Sequence, residues 1–261
     1  MGKTKAIFFD VDGTIVTDEH VIPESARRAL YEAHEAGHML LVNTGRPYRH
    51  VEPQIKALPF DGFVCSLGSY IFFRGERIYH YGFTPEESRA IRDHGKRCGM
   101  QMLFESERAI LGDTSNLNPM ALHEYEWLTS IGVPGLPDDG ENFFFDKFVF
   151  WPGPDGDKEA FCAPYRDMLD FTDRAGNMVE VVRKGFSKAY GLEKALELLH
   201  IPPEDSFAIG DSTNDLAMLR AANTAILMGN APPELWGEAD FVTAPIDEDG
   251  LYKALRHYDL I

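Results

Sequence analysis

The chain alternates between two hydrophobic periods, and it does so toward both ends but not in the middle. "KAIFF" (residues 5–9) is an unbroken apolar run of strand character, and "PESARRALYEAHEAG" repeats Ala26, Leu30 and Ala33 on one helical face. "MLLVN" then reads as a second strand and "RHVEPQIKAL" as a second helix. The C-terminal part repeats the alternation: helix "KAYGLEKALELLHI" with Leu192, Ala195, Leu196 and Leu199 in register, strand "SFAIG", helix "NDLAMLRAA", strands "TAILM" and "DFVT", and a closing helix. Strands joined by helices predict an α/β fold, a parallel sheet with helices on both faces.

Residues 84–183 break this pattern. Helix "PEESRAIRDHGKRCG" leads into the short strands "MQMLF" and "RAILG". Helix "MALHEYEWLTSIG", a Pro/Gly/Asp-rich stretch near residues 132–142, strand "KFVFW", a short helix and strands "LDFT" and "NMVEVV" follow. Strands in adjacent pairs predict an antiparallel sheet with helices on one face, hence an α+β domain at 84–183 inserted into a core formed by 1–83 and 184–261. At 261 residues the chain is long enough for one sizeable core and a second, smaller one.

Charge limits the partners. With 42 acidic against 25 basic residues the formal net charge is −17, so the average surface repels nucleic acid and anionic lipid, and neither is expected as a partner. A small anionic substrate would need a local positive site. Cys65, Cys98 and Cys162 lie far apart with no CxxC pair, which predicts neither a disulfide framework nor a structural zinc site and fits a reducing cytoplasm. No export signal or membrane anchor is expected, since no charged-then-apolar leader opens the sequence and no apolar run is long enough to span a bilayer. A monomer or weak homodimer is expected.

In open parallel sheets ligands bind at the carboxyl ends of the strands, so the residues that follow each strand carry the functional information. After "KAIFF" come Asp10, Val11, Asp12 and Gly13; after "MLLVN" come Thr44, Gly45 and Arg46; after "SFAI" come Gly210, Asp211, Ser212, Thr213, Asn214 and Asp215. Lys188 begins the helix before that last strand. Any one of these acids could be an ordinary solvated strand end. Four carboxylates with a hydroxyl, a lysine and several glycines at one sheet edge instead make a hard-oxygen metal site facing an anion. Extended chain lets Asp10 and Asp12 point to the same side, and Gly13 permits a sharp turn and a close ligand. Carboxylates so near one another and Asp211 repel unless a cation lies between them or one holds a proton, and magnesium suits such a set.

"DVDGT", "NTGR", "KGFSK" and "GDSTND", in this order and at these strand ends, resemble the motifs of the haloacid dehalogenase-like superfamily. The inserted domain, "MGNAPP" and "TAPIDEDGL" resemble its Cof-type phosphatases, which carry a C2-type cap and hydrolyse sugar phosphates and related small phosphomonoesters. The resemblance implies a Rossmann-like core with an α+β cap that selects a small phosphorylated metabolite. It implies that Asp10 attacks phosphorus to form an aspartyl-phosphate and that Asp12 protonates the leaving oxygen and then activates water. Thr44 and Gly45 would hold the phosphoryl oxygens with Arg46 and Asn214 as further phosphate contacts, and Lys188 would neutralise them and orient Asp10. Mg2+ would be bound by the Asp10 carboxylate, the Asp12 carbonyl and Asp211, with Asp215 in support. Two positions depart from the Cof-type pattern. Leu67 stands where Asn is usual, with Ser69 for Ala after it, which removes a polar group; Ala189 stands for Gly at a helix start.

Other signals read as structure. "HEAGH" (residues 34–38) matches a zinc-protease pattern only if one helix carries both histidines, and Gly37 should end that helix. "GKT" at residues 2–4 precedes the first strand instead of following it and reads as a tail. Phe143, Phe144, Phe145, Phe148, Phe150 and Trp151, bunched at strand spacing, read as core. Rival readings of the site are a phosphomutase on the same scaffold, a signalling receiver domain and a non-catalytic phosphoryl-binding protein. A receiver places its phosphorylated Asp alone after a middle strand, whereas here an Asp pair follows the first.

Overall fold

The computed structural model describes residues 3–138 and 143–261; Gly2 of the "GKT" tail and residues 139–142 of the Pro/Gly/Asp-rich stretch lie outside it. The chain runs β1 (Ala6–Phe9), α1 (Glu24–Glu35), β2 (Met39–Asn43), α2 (Pro53–Lys56), β3 (Gly62–Cys65), β4 (Tyr70–Phe73), β5 (Glu76–His80). It continues α3 (Pro85–Arg97), β6 (Met100–Glu105), β7 (Ile110–Gly112), α4 (Pro119–Ser130), β8 (Gly135–Leu136), β9 (Lys147–Pro152), α5 (Lys158–Cys162), β10 (Leu169–Asp173) and β11 (Val179–Arg183). It ends α6 (Lys188–Leu198), β12 (Ser206–Gly210), α7 (Leu216–Ala221), β13 (Thr224–Leu227), β14 (Phe241–Val242) and α8 (Gly250–His257). No helix among the described residues is long and apolar enough to cross a membrane.

Two compact units emerge. The first comprises Met1–Arg46, Pro53–His80 and Ser187–Ile261. Its eight strands lie in the order β14-β13-β12-β1-β2-β3-β4-β5, parallel from β14 to β3. The helical side chains that face the sheet follow the predicted stripes: Ala26, Ala29, Leu30 and Ala33 of α1 are buried, and Leu192, Ala195 and Leu196 of α6 pack with Phe8, Leu41 and Val64. At the far edge β3, β4 and β5 form an antiparallel meander, so the sheet is mixed and not wholly parallel.

The predicted helix at 49–58 does not form as one piece. A 3-10 turn at Tyr48–His50 is followed by extended Val51 and a single α-helical turn at Pro53–Lys56. Pro53 has no N–H to donate and excludes the α conformation from the residue before it, so the helix can only restart there. α1 likewise ends before His38, with Gly37 at φ +90°, so the "HEAGH" histidines do not share a helix.

The second unit is Tyr81–Phe186 with Pro47–Glu52. Its strands run β10-β11-β9-β6-β7-β8, antiparallel except for the β7–β8 pair. It is wider than the 84–183 expected. Phe83 belongs to its aromatic core, 4.7 Å from Phe145, and Tyr81 stacks on Phe186 at 5.5 Å, which draws the ends of both linkers into the unit. Phe143, Phe145, Phe148, Phe150 and Trp151 are buried in it, while Phe144 is half-buried.

One close approach sets how α6 lies on the first unit's sheet. Gly68, at φ +89°, faces Gly191 so tightly that a Cβ on Gly191 would come within 2.8 Å of the Gly68 Cα and 2.5 Å of Val64. A helical Gly to Ala change ordinarily stabilises by about 1 kcal/mol, but overpacking of this kind costs about 1–3 kcal/mol and should decide the sign. Gly191→Ala is therefore expected to lower the urea midpoint of unfolding; an unchanged or raised midpoint would show that α6 can shift without cost.

Candidate active site

The parallel register delivers the site. Phe9 pairs with Ile209, and the Asp10 N–H continues the ladder by donating to the Ile209 carbonyl at 2.9 Å, so Asp10 and Asp211 leave neighbouring strands side by side. Thr44 extends the β2–β3 ladder in the same way, its N–H donating to the Val64 carbonyl at 2.9 Å. Lys188 is the first residue of α6, whose N-terminus is capped by the Ser187 hydroxyl accepting from the Tyr190 N–H. Asn43 ties that turn to the end of β2, donating from Nδ2 to the Lys188 carbonyl at 2.8 Å.

Lys188 reaches three groups. Its ammonium donates to Asp10 Oδ1 and Asp215 Oδ1, each at 2.6 Å, and lies 3.4 Å from Asn214 Oδ1. Asp215 accepts with its other oxygen from the N–H groups of Asp211 (3.0 Å) and Ser212 (3.1 Å), so it is fully engaged in holding the loop. Oxygens of Asp10, Asp211 and Asp215 all lie within 4.8 Å of one another. Asp211 is packed against Gly13, where a Cβ would fall 2.1 Å from Asp211 Oδ2, so only glycine is compatible with this placement.

Burial makes the cluster costly. It pushes the Asp10 carboxyl up to about 7 against the pull of Lys188, with Asp215 adding to the rise. Burial, then Asp10 and Asp215, push Asp211 up to about 7 as well. Burial opposes the Lys188 ammonium, yet Asp10 and Asp215 outweigh it and hold it above the ordinary lysine value. With all three carboxyls ionised, one ammonium leaves two negative charges in excess, and Asp211 Oδ1 is buried with no hydrogen-bond partner. This donor set, all oxygen and short of two positive charges, fits a hard divalent cation.

Asp12 and the remaining predicted residues take separate positions. Asp12 does not share the cluster with Asp10, because the chain turns immediately: the N–H groups of Ile15 and Val16 fold back onto the Val11 carbonyl. Its side chain is 58% exposed and accepts from Arg46 at 2.6 Å, so the two form a pair at the solvent rim. Thr44 is buried and its hydroxyl accepts from the Arg46 N–H at 3.2 Å; Gly45 lies between them, and Asn214 is exposed on the loop after β12. Leu67 occupies a left-handed conformation, φ 55° and ψ 37°.

Reading strand ends missed Asn230. It lies in the "MGNAPP" stretch of the Cof-type resemblance and follows β13, the next parallel strand; the strand-end rule applied to "TAILM" would have given Asn230 a place at the site. Its Nδ2 donates to the Gly13 carbonyl at 2.9 Å and lies 3.4 Å from Asp211 Oδ2.

Comparison with known proteins bears on this arrangement. The sequence pattern of the haloacid dehalogenase-like hydrolases matches residues 7–255. YkrA of Bacillus subtilis strain 168 is 32% identical over 99% of both chains. The 5-amino-6-(5-phospho-D-ribitylamino)uracil phosphatase YcsE of the same organism is 28% identical over 98% of this chain and 96% of its own. The solved structure of the subclass IIB sugar phosphatase BT4131 superposes with a TM-score of 0.80 at 31% identity, covering 99% of this chain and all of that one.

The raised carboxyls have a measurable consequence in chelator. Between the unfolded value of 3.8 and a folded value of about 7, the folded state binds more protons at Asp10 and Asp211 than the unfolded one. Their contribution is therefore most favourable at low pH and is lost as pH rises through 7. Urea denaturation of metal-free protein should show this cluster's contribution to stability declining from about pH 4 to pH 7, isolated as the difference from Asp211→Asn, and magnesium should reduce that difference. A difference independent of pH would show that the cluster carries no such strain.

Proposed function

The chain belongs to the haloacid dehalogenase-like hydrolase family and is a phosphatase, and from that premise we propose a magnesium-dependent phosphomonoesterase acting on a sugar phosphate or a similar small ester through an aspartyl-phosphate. The observation that carries this reading is the buried Lys188 ammonium bonded to Asp10 beside the unpartnered oxygen of Asp211. Asp10 is the nucleophile: its free carboxylate oxygen attacks phosphorus, the bond from phosphorus to the leaving oxygen breaks, and Asp12 gives that oxygen its proton. Asp12 then takes a proton from the water whose oxygen attacks the aspartyl-phosphate, and inorganic phosphate leaves as Asp10 is regenerated. The exposed position of Asp12 suits both transfers, since leaving group and water must arrive from the open side.

Lys188 keeps Asp10 in one orientation and adds positive charge for the phosphoryl oxygens; the Thr44 hydroxyl, the Gly45 backbone, Arg46 and Asn214 supply further donors around them. The Asp10 and Asp211 carboxylates and the Asp12 carbonyl would hold Mg2+, with Asp215 fixing the loop that carries Asp211; the bound ion would offset negative charge on the cluster and the phosphoryl group. The second unit contains none of these groups, and we assign it the selection of the leaving group. The sugar-phosphate preference is supported by the likeness to the sugar phosphatase BT4131 and to YcsE, a phosphatase whose named substrate carries its phosphate on a ribityl chain. The free cysteines fit a reducing cytoplasm.

The test is phosphate release from a panel of phosphomonoesters, with products identified so that transfer to a second hydroxyl is distinguished from transfer to water. Asp10→Asn is expected to fold normally and retain less than about a hundredth of wild-type turnover, because the covalent path is gone; greater retention would remove Asp10 from the nucleophile's role. Activity is expected to vanish in chelator, return with Mg2+ and fail to return with Ca2+, whose larger size and coordination number would draw in further carboxylate oxygen and occupy the nucleophile. Full activity in chelator, or equal activity with calcium, would reject the metal reading.

A further inference from the structure

Asn230 joins four segments of the first unit through one side chain. From the loop after β13 its Nδ2 donates to the Gly13 carbonyl beyond β1 at 2.9 Å and lies 3.4 Å from Asp211 Oδ2 beyond β12. Its Oδ1 accepts from the Ile246 N–H at 3.0 Å. The orientation of the amide is fixed chemically: a carbonyl only accepts and a peptide N–H only donates, so the nitrogen must face Gly13 and the oxygen must face Ile246. The second amide hydrogen is thereby left for Asp211.

The two oxygens of Asp211 are then in different circumstances. Oδ2 lies against Asn230 and where a Cβ on Gly13 would stand, while Oδ1 is buried and accepts no hydrogen bond among the described residues. A carboxylate held by one oxygen presents the other. We propose that Asn230 is the positioning residue for Asp211, holding Oδ2 so that Oδ1 faces the divalent cation, and fixing Gly13 so that no gap opens behind it. The inference rests on the reading of Asp211 as a metal ligand and adds what keeps that ligand in place. Polar groups that orient metal ligands typically change affinity by about 10–100-fold when removed. Asn230 is exposed, so its truncation leaves the buried core of the sheet untouched.

The experiment is calorimetric titration of Mg2+ into the full chain without substrate, for wild type and Asn230→Ala, alongside thermal unfolding of both in chelator. The magnesium dissociation constant is expected to rise by about 10-fold or more in the variant, and the metal concentration for half-maximal phosphate release to rise with it. A merely structural role would lower the chelator melting temperature and leave the dissociation constant unmoved, and that result overturns the proposal. Asn230→Ser keeps a donor on a shorter stem and is expected to fall between the two; if the alanine variant does not fold, the serine variant decides on the same constant. Wild type that binds no Mg2+ would overturn the metal reading and this inference together, whereas equal affinities in wild type and variant would overturn this inference alone.

Discussion

The buried ammonium of Lys188 between Asp10 and Asp215 is the constraint on which the rest of this sheet edge depends. Taking three charges out of water is expensive, and losing one partner of such a group costs about 3–5 kcal/mol because the others are left unpaired. Replacing a buried ion pair with apolar groups is often neutral or stabilising, so the cluster is weak evidence for stability and strong evidence for chemistry. Its geometry reaches back into the fold. Lys188 meets Asp10 only if α6 begins where it does, and that start is fixed by the Ser187 cap, by Asn43 on the Lys188 carbonyl and by the contact of Gly191 with Gly68. Gly68 and Gly191 thus belong to the same device as the lysine, and the turn before Gly68 is tied to the Thr44–Arg46 loop as well, the Ser66 and Leu67 N–H groups donating to the Arg46 and Thr44 carbonyls at 3.0 and 3.3 Å.

Much of this was legible in the sequence because two strong local signals agreed. Unbroken strands alternating with amphipathic helices give the parallel core, and the polar residues after each strand give the edge where Asp10, Asp211, Asp215 and Lys188 meet. What was not legible depends on tertiary geometry or on chain breaks. The pattern at 49–58 has helical period, yet Pro53 divides it. The β4–β5 hairpin is short and its outer strand is mostly not buried, so it lacks the apolar run that marks the central strands. Asp12 has the spacing to lie beside Asp10, but the turn at Val11 sends it to the rim, where Arg46 meets it. Asn230 carries no charge and its significance appears only once Gly13 and Asp211 are seen on either side of it.

Leu67 shows how a family pattern can be read too narrowly. Against the Cof-type Asn, leucine looks like a lost polar contact with substrate. The backbone supplies a second reason for Asn: Ser66 and Leu67 both have positive φ, at 49° and 55°, a region that Asn tolerates and that costs most other L-residues about 1–2 kcal/mol. The turn is needed whatever side chain fills it, since it brings Gly68 onto Gly191 and so α6 onto the sheet. Leucine here is a local cost accepted by a structure that fixes the turn from both sides.

The second unit provides the control that separates chemical from structural charge. Lys147 is nearly buried there, 2.6 Å from Glu180 and 3.6 Å from Glu105, and Arg174 also meets Glu180 at 2.6 Å. Lys147 holds Glu180 down to about 2 against its burial, while burial, only partly offset by Lys147, pushes Glu105 up to about 7. Shifts of this size match those at Asp10 and Asp211, so perturbed titration alone does not distinguish the two places. Pairing does. In the second unit Glu180 lies between Lys147 and Arg174 and Glu105 lies beside Lys147 and His50; in the first, one ammonium serves Asp10 and Asp215, and Asp211 Oδ1 is left without a partner. A buried set whose carboxyls are each paired holds strands together, and one that leaves a buried carboxylate oxygen without a partner is one that a bound cation would complete.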